Sequence, residues 1–460
     1  MRLDALVDLR VVILGFGREG QSAFRALKNH GGRSCQFADV FVWAEGGSLP
    51  SGINGRVAPF DARLSTFDVA IRSPGIRVDH PALIEFKRNA GLVVSPSSIF
   101  FSERPDVPVI GITGSKGKST TASLLAHLLT ANGQVVELAG NIGVPLLDQL
   151  DTEAERIVAE FSSYQLADLA GSIELGLITR LFPEHLDWHG NEAHYYSCKL
   201  RLAELLDSRP LLINATDPIL SAASRSIRGR IKVNQPPGYN RQGDRLMRDQ
   251  ILVASLDELK LIGQHNLDNA ALALAACELV GGDQSRSADA LKTFAPLAHR
   301  IERIKVQKSD IDWINDSIAT SPHATKAALQ SLRGRAVVLI AGGQSRPADW
   351  SPVVDWCRNY PLAGLIVLPD NGPKIAEVLL AGESIMGGHV EQAETIEEAV
   401  DLAAGKFGIE DGAGSGKEIG SKKTILLSPG APSFPNYKNF EERGNRFRSA
   451  VTALEIAAKV

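Results

Sequence analysis

The chain has 460 residues, 44% of them hydrophobic, with a formal net charge of −4 at pH 7 and no basic block. That length predicts two to four domains, each able to bury a core, and the charge excludes nucleic acid or an anionic membrane as the main partner. Cys35, Cys198, Cys277 and Cys357 are scattered with no CxxC, no apolar run approaches a membrane span, and strand-like sequence starts almost at once without a signal peptide; a cytoplasmic protein with reduced thiols is expected.

Residues 9–14 (LRVVIL) read as a strand and 22–28 as a helix, with Gly15-Phe16-Gly17-Arg18-Glu19-Gly20 between them. This is GxGxxG in its meaningful setting, and Asp39, closing the strand-like run 34–38, lies where a ribose-binding carboxylate is expected. Taken alone it says dinucleotide. A second nucleotide loop follows, and no cluster suits hydride transfer, so the diphosphate of a nucleotide-linked substrate fits equally; a purely structural turn is a third reading. Residues 67–71 predict another strand, with Arg72-Ser73-Pro74-Gly75-Ile76 as the loop at its carboxyl end. Pro96, Ser97 and Ser98 begin the expected linker.

The most informative stretch is Gly111-Ile112-Thr113-Gly114-Ser115-Lys116-Gly117-Lys118-Ser119-Thr120, between an apolar strand (107–110) and a helix (123–129). A strand, a glycine loop and a helix start aim backbone N–H groups and the positive helix end at one point, which suits a polyphosphate. Gly114, Ser115, Lys116, Gly117 and Thr120 line that cradle. Lys118 reaches the β/γ-phosphates of ATP and the Ser119 hydroxyl ligates Mg²⁺. Five positions rather than four separate Gly111 from Gly117, one more than the strict template.

Farther on, Asn141 lies in a Gly/Asn loop after a strand at 134–137, and an apolar strand ends at Glu160, a carboxylate placed to bind Mg²⁺ directly or through water. The strand 177–181 leads to Phe182-Pro183-Glu184-His185-Leu186-Asp187-Trp188-His189-Gly190. His185 and His189 suggest zinc, but the HExxH order is missing and no third soft ligand is evident, so carboxylates plus one His favour Mg²⁺. Lys199 lies in a helical pattern from Tyr195 to Leu206, where a surface lysine is the ordinary outcome. Asn266 and Asn269, three apart near the start of a helix that ends at Gly281-Gly282, can hydrogen-bond a purine or cap the helix.

Taken together, GITGSKGKST, Gly140-Asn141-Ile142-Gly143, the Glu160-Phe161-Ser162-Ser163-Tyr164-Gln165 element, His185-x-Asp187, Tyr196-x-x-Lys199 and Gly263-x-x-Asn266-x-x-Asn269 resemble the Mur ligases, ATP-dependent amide-forming enzymes of peptidoglycan precursor synthesis. His299-Arg300-Ile301-Glu302 and the run from Leu427 through Ser433 to Gly444 look like the glutamate-adding member. The resemblance covers essentially the whole chain. It implies an α/β fold of three domains: a Rossmann-like substrate domain (1–96), a central P-loop ATPase with a parallel sheet (97–298) and a Rossmann-like glutamate domain (299–460).

On this resemblance the first loop binds the UDP of UDP-N-acetylmuramoyl-L-alanine rather than NAD, through Gly15, Gly17, Arg18, Glu19, Gly20, Asp39, Ser73, Gly75 and Asn141. Lys118, His185 and Lys199 are the catalytic set, and Ser119, Glu160, His185 and Lys199 the magnesium ligands, the lysine after carbamylation. Asn266 and Asn269 sit by adenine, with Arg300 and Asp316 by the ribose and phosphates. ATP converts the alanyl carboxylate to an acyl phosphate, and the glutamate amine displaces phosphate, with domain closure and a monomer expected.

The glutamate pocket departs from the family. Asn315-Asp316-Ser317-Ile318-Ala319-Thr320 has Ile318 where D-glutamate-adding members have lysine, and Gly342-Gly343-Gln344-Ser345-Arg346 has Arg346 at another lysine position. Thr320, Arg346, Ser433, Phe434 and Phe440 are the expected glutamate contacts. Losing one ammonium and exchanging another for a planar fork moves the carboxylate, which favours L-glutamate; D-glutamate is the alternative. A folyl-polyglutamate synthetase would lack the first GxGxxG domain, an NAD-dependent oxidoreductase explains nothing after Gly20, and a non-catalytic nucleotide-binding regulator has no need of Glu160, His185 and Lys199 together. The stretch 408–417 reads as a mobile surface loop before a strand at 424–427, and 443–459 as a helix packed on its own domain.

Overall fold

The computed structural model describes residues 1–30, 40–306, 311–346, 348–407 and 423–457. The expectations for Cys35, Asp39, the strand 34–38 and the loop 408–417 lie outside those residues. Two compact units form, one of Met1–Leu259 with His265–Phe294 and one of Lys260–Gln264 with Ala295–Val460.

In the first unit, five parallel strands run in the order Gly55–Val57, Phe41–Ala44, Val11–Leu14, Val69–Arg72, Leu92–Val94. Val11–Leu14 and Val69–Arg72 are buried at every position, as strands covered on both faces must be. Strand order reverses between these two, and their carboxyl ends carry the Gly15–Gly20 and Ser73–Gly75 loops, the position at which open parallel sheets take ligands. The helix Arg18–His30 begins inside the glycine loop, four residues earlier than periodicity places it.

Six more parallel strands follow in the order Arg230–Val233, Leu211–Asn214, Leu175–Ile178, Val109–Thr113, Arg156–Glu160, Val136–Gly140. Val109–Thr113 is central, so the phosphate loop leaves the sheet between the end of Arg156–Glu160 and the end of Leu175–Ile178. Three antiparallel strands, Tyr239–Gln242, Arg245–Arg248 and Ile251–Ser255, form a separate small sheet.

The stretch expected to open a linker is instead the α-helix Pro96–Glu103, started by Ser95, whose hydroxyl accepts from the Ser98 N–H, and by a proline in the first turn. Both are helix-start signals. Ile99 and Phe100 are fully buried, in an apolar cluster that also holds Val11, Ile13, Val69 and Ile71 of the first sheet and Val109, Ile157, Leu211 and Ile213 of the second.

The second unit is a mixed six-stranded sheet in the order Glu302–Ile304, Asp312–Asn315, Lys423–Leu427, Ala336–Gly343, Gly364–Asp370, Val390–Gln392. Only Glu302–Ile304 is antiparallel. As expected, the last helix, Phe440–Ala457, packs on its own unit, with Phe447 and Val451 in a cluster with Trp313 and Ile425. Among the described residues no helix is long and apolar enough to cross a membrane.

Candidate active site

The phosphate loop is built by two glycines that nothing else can replace. Gly114 has φ +144°, and an added Cβ would lie 2.0 Å from Thr179 Oγ1; Gly117 has φ +90°, and its Cβ would lie 2.4 Å from Asn269 Oδ1. Left-handed backbone and close approach both demand glycine. The helix Lys118–Ala131 starts immediately after Gly117, so Lys118 and Ser119 occupy its first turn. Lys118 Nζ donates to the Ser115 carbonyl at 3.0 Å. Residues 116–120 are half-buried, accessible from one side. Ser115 is buried, its hydroxyl 2.8 Å from the Phe182 carbonyl and 2.8 Å from the Tyr195 hydroxyl, so its side chain shapes the loop and only its backbone can face a phosphate.

The strand that ends at Glu160 delivers the carboxylate to the edge of this loop, with 1% of the residue exposed. Oε1 accepts from Asn141 Nδ2 at 2.8 Å, while Oε2 is buried with no partner. A buried carboxylate oxygen with nothing to bind is costly, and a cation is the group that satisfies it. Lys199, on the helix Glu192–Leu200, is 2% exposed and donates from Nζ to the Gly114 carbonyl at 2.7 Å. Its Nζ stands 4.8 Å over the Tyr195 ring. Burial, with the Lys118 charge adding to it, drives this lysine well below its usual pKa.

His185 holds left-handed backbone at φ +56°, a conformation uncommon outside glycine. Burial lowers its pKa, against the charges of Glu184 and Asp187, with Lys199 and Lys118 lowering it further. The neutral imidazole has a lone pair to offer. Glu160 and Lys118 both act on Lys199, and Lys118 and Lys199 on His185, so the four groups singled out from sequence converge. Carboxylate, imidazole and hydroxyl, the groups that Glu160, His185 and Ser119 carry, are donor types that fit a hard divalent cation.

The first sheet's loops reach the same region. Arg72 is buried, pairs with Asp168 through Nε at 2.7 Å, and donates from Nη1 to the carbonyls of Ser73 and Pro74 at 3.2 Å. It thereby shapes the Gly75 loop. Trp188 Nε1 donates to the Gly75 carbonyl at 3.0 Å, linking that loop to the His185 segment. An added Cβ on Gly20 would sit 2.1 Å from the Gly15 carbonyl oxygen, whereas Gly17 and Gly75 have open space around theirs. Arg18 donates to the Asn141 carbonyl at 2.7 Å. Glu19 accepts from Gln165 at 2.8 Å, and burial lifts its pKa to about 7. Asn266 and Asn269 are buried and bonded to each other at 3.0 Å.

In the second unit Thr320, Arg346, Ser433 and Phe434 fall on loops at the carboxyl ends of three adjacent parallel strands, Asp312–Asn315, Ala336–Gly343 and Lys423–Leu427, and Phe440 opens the last helix. Asp316 is fixed by Ser428 Oγ at 2.9 Å and the Ile301 N–H at 3.2 Å, next to Arg300. Ser433 is buried and Phe440 half-buried, while Thr320, Arg346 and Phe434 are exposed. Ile318 is half-buried.

Comparison with known proteins fits this layout. Residues 112–277 match the Mur ligase middle domain and 299–412 match the Mur ligase, glutamate ligase domain. A protein of Xanthomonas axonopodis pv. citri named UDP-N-acetylmuramoyl-L-alanine–L-glutamate ligase is 34% identical, over 97% of this chain and 96% of its own. One of the same name from Micromonospora sp. is 35% identical over 98% of both. The chain belongs to the Mur ligase family. Solved structures share its fold: UDP-N-acetylmuramate–alanine ligase MurC from Thermotoga maritima has a TM-score of 0.59 at 17% identity, covering 97% of this chain and 100% of that one. MurF ligase from Thermotoga maritima in complex with ADP has 0.55 at 14%, covering 98% and 97%.

Mur ligases are ATP-dependent amide-forming enzymes, and several supports of this chain's site are invisible to motif reading. Thr179 Oγ1 donates to the Lys116 carbonyl at 2.7 Å, and the buried Asp268 carboxylate pairs with Arg180 at 2.8 Å and Arg241 at 2.9 Å. Arg241 and Asp268 are 27 residues apart, and no local pattern announces their pairing. One sequence expectation is corrected here. His189 was expected to lack further soft partners, yet the fold brings His194 and Cys198 beside it. Both lie on the helix Glu192–Leu200, where the i, i+4 spacing of His194 and Cys198 is the available signal.

Proposed function

We propose that the chain ligates glutamate to UDP-N-acetylmuramoyl-L-alanine at the expense of ATP, and that the amino acid is L-glutamate. The observation that carries the reading is the buried Glu160 with an orphaned oxygen, together with a buried Lys199 bonded to the Gly114 carbonyl of the phosphate loop. An ordinary nucleotide-binding turn has no use for that pair.

A carboxylate is a poor electrophile, so its terminal oxygen first takes the γ-phosphoryl group to give an acyl phosphate; the glutamate amine then forms the amide bond and phosphate leaves. Lys118 holds the β/γ-phosphates and offsets their charge, and the loop N–H groups fix their orientation. Burial pushes the Lys199 pKa down, which favours the free amine that would add CO₂ with loss of a proton to solvent, and the carbamate would supply a second anionic donor beside Glu160. Mg²⁺ held by Ser119, Glu160, His185 and the modified Lys199 would supply charge neutralisation between two anionic reactants. Arg18, Ser73, Gly75 and the open face at Gly17 are assigned to the UDP portion, and Asn269, close against Gly117, with its hydrogen-bond partner Asn266, to the nucleotide.

For the amino acid, Arg346 and Ile318 in place of two lysines support L-glutamate, and the names of the relatives at 34–35% identity point the same way. ADP release by the purified protein is to be measured with UDP-N-acetylmuramoyl-L-alanine, ATP, Mg²⁺ and each glutamate enantiomer separately. Release with L-glutamate alone is expected. Turnover with D-glutamate alone overturns the enantiomer, and no turnover with either overturns the ligase.

A further inference from the structure

Next to the phosphate-loop site, three soft donors meet that the ligase chemistry leaves unused. His189, His194 and Cys198 each bring one donor atom to within 4.8 Å of the other two. His194 and Cys198 stand one turn apart on one face of the helix Glu192–Leu200, and His189 enters from the turn before it. His194 Nε2 and Cys198 Sγ are 3.5 Å apart. A tetrahedral ion bonded to sulfur at ~2.3 Å and nitrogen at ~2.0–2.1 Å spaces those two atoms by roughly 3.6 Å.

Outer hydrogen bonds already set both rings. His194 Nδ1 lies 3.0 Å from the His189 carbonyl oxygen, which can only accept. The proton is therefore on Nδ1, and Nε2 presents its lone pair toward Cys198. His189 Nε2 is 2.9 Å from Ser163 Oγ, while its Nδ1 is buried with no partner. Ligating histidines are held in this way, through the nitrogen that does not bind the metal. The rings of Tyr164, Trp188 and Tyr195, with centroids 5.6, 4.5 and 5.1 Å from that of His189, pack around His189, while His194 is half-buried and leaves one side accessible.

We propose that His189, His194 and Cys198 form a site for a soft divalent cation of the zinc type, with a fourth position open to water, distinct from the hard-cation donors Glu160, His185 and Ser119. Imidazole and thiolate select such an ion over Mg²⁺. Binding releases one proton, from the Cys198 thiol, to solvent. Occupancy ties the turn at Gly190 to the helix that carries Lys199, one residue beyond Cys198.

The test is a Co²⁺ titration of the metal-stripped full-length protein, followed by its thiolate-to-cobalt charge-transfer absorption and by thermal melting. A saturable band, displaced by Zn²⁺ and unaffected by excess Mg²⁺, is expected, together with a Zn²⁺-induced rise in Tm. Cys198→Ser should abolish the band and the rise; His194→Ala, at a half-buried position, should weaken Co²⁺ binding at least ~10-fold. No band in the wild type means the contact is only a thiol–imidazole hydrogen bond and overturns the proposal. So does a band that survives Cys198→Ser or yields to Mg²⁺. Neither ATP nor substrate is used, so failure of the ligase assignment leaves this result intact.

Discussion

The phosphate-loop site and the strand-end loops of the second unit are built on opposite plans. At the first, Glu160, Lys199 and Ser115 are 3% exposed or less, and two left-handed glycines press their backbone against Thr179 and Asn269. At the second, Thr320 and Arg346 are exposed and Phe434 is 51% exposed. Charge management on a triphosphate needs fixed dipoles and dry walls, and such a site tolerates little change. On the proposed reading, choice of amino acid rests on the second set of loops, where Arg346, an exposed side chain that can be exchanged without disturbing a core, is one of the two departures from the family pattern and half-buried Ile318 the other.

The sharpest way to break that contrast is Lys118→Ala, which should lower ADP release by ~10³-fold or more while leaving the fold intact; a normal rate would detach the loop from the chemistry. Lys199→Met should cost about 10²-fold in kcat yet make the protein more stable at pH 7. The sign follows from linkage: with its folded pKa well below 10.5, Lys199 binds its proton more readily unfolded, so it weakens the fold progressively as pH falls from 10.5. Urea melts at pH 7 in carbonate-free buffer read this out.

At the exposed site, Arg346→Ala should raise the KM for glutamate ~10–100-fold with little change in kcat or in the KM for ATP, and a comparable impairment of all three, with kcat lowered and both KM values raised, would show that the two functions are not separable. The smallest effect is on stability alone. Burial raises the Glu19 pKa to about 7, so its contribution to stability is present below pH 4.5 and is lost as pH rises through 7. Glu19→Gln should therefore add up to ~3 kcal/mol at pH 8 and nothing at pH 4, a difference that denaturant titrations at the two pH values will resolve.

Short patterns with a mechanical reason locate the phosphate loop between its strand and helix and the strand that ends at Glu160, and the fold class follows from alternating strands and helices. The helical pattern around Lys199 points to a surface lysine, whereas the fold buries it. Such patterns fail where partners are distant: the Asp268 pairs with Arg180 and Arg241, the Arg72–Asp168 pair and the approach of His189 to Cys198 arise only when helices and loops are packed. The misread linker at Pro96 has another cause. Pro-Ser-Ser is turn-like in composition, but Ser95 before it caps the helix and the apolar Ile99-Phe100-Phe101 after it gives the helix a face to bury, so the proline sits in a first turn rather than in a linker.

That helix also bears on how the protein comes apart. Because Ile99 and Phe100 share one apolar cluster with strands of both parallel sheets of the first unit, severing the chain near residue 96 would expose hydrocarbon on each fragment, and neither piece should persist alone. Heating should accordingly melt those two sheets in a single cooperative step, so a calorimetric trace would count fewer transitions than there are nucleotide-binding folds.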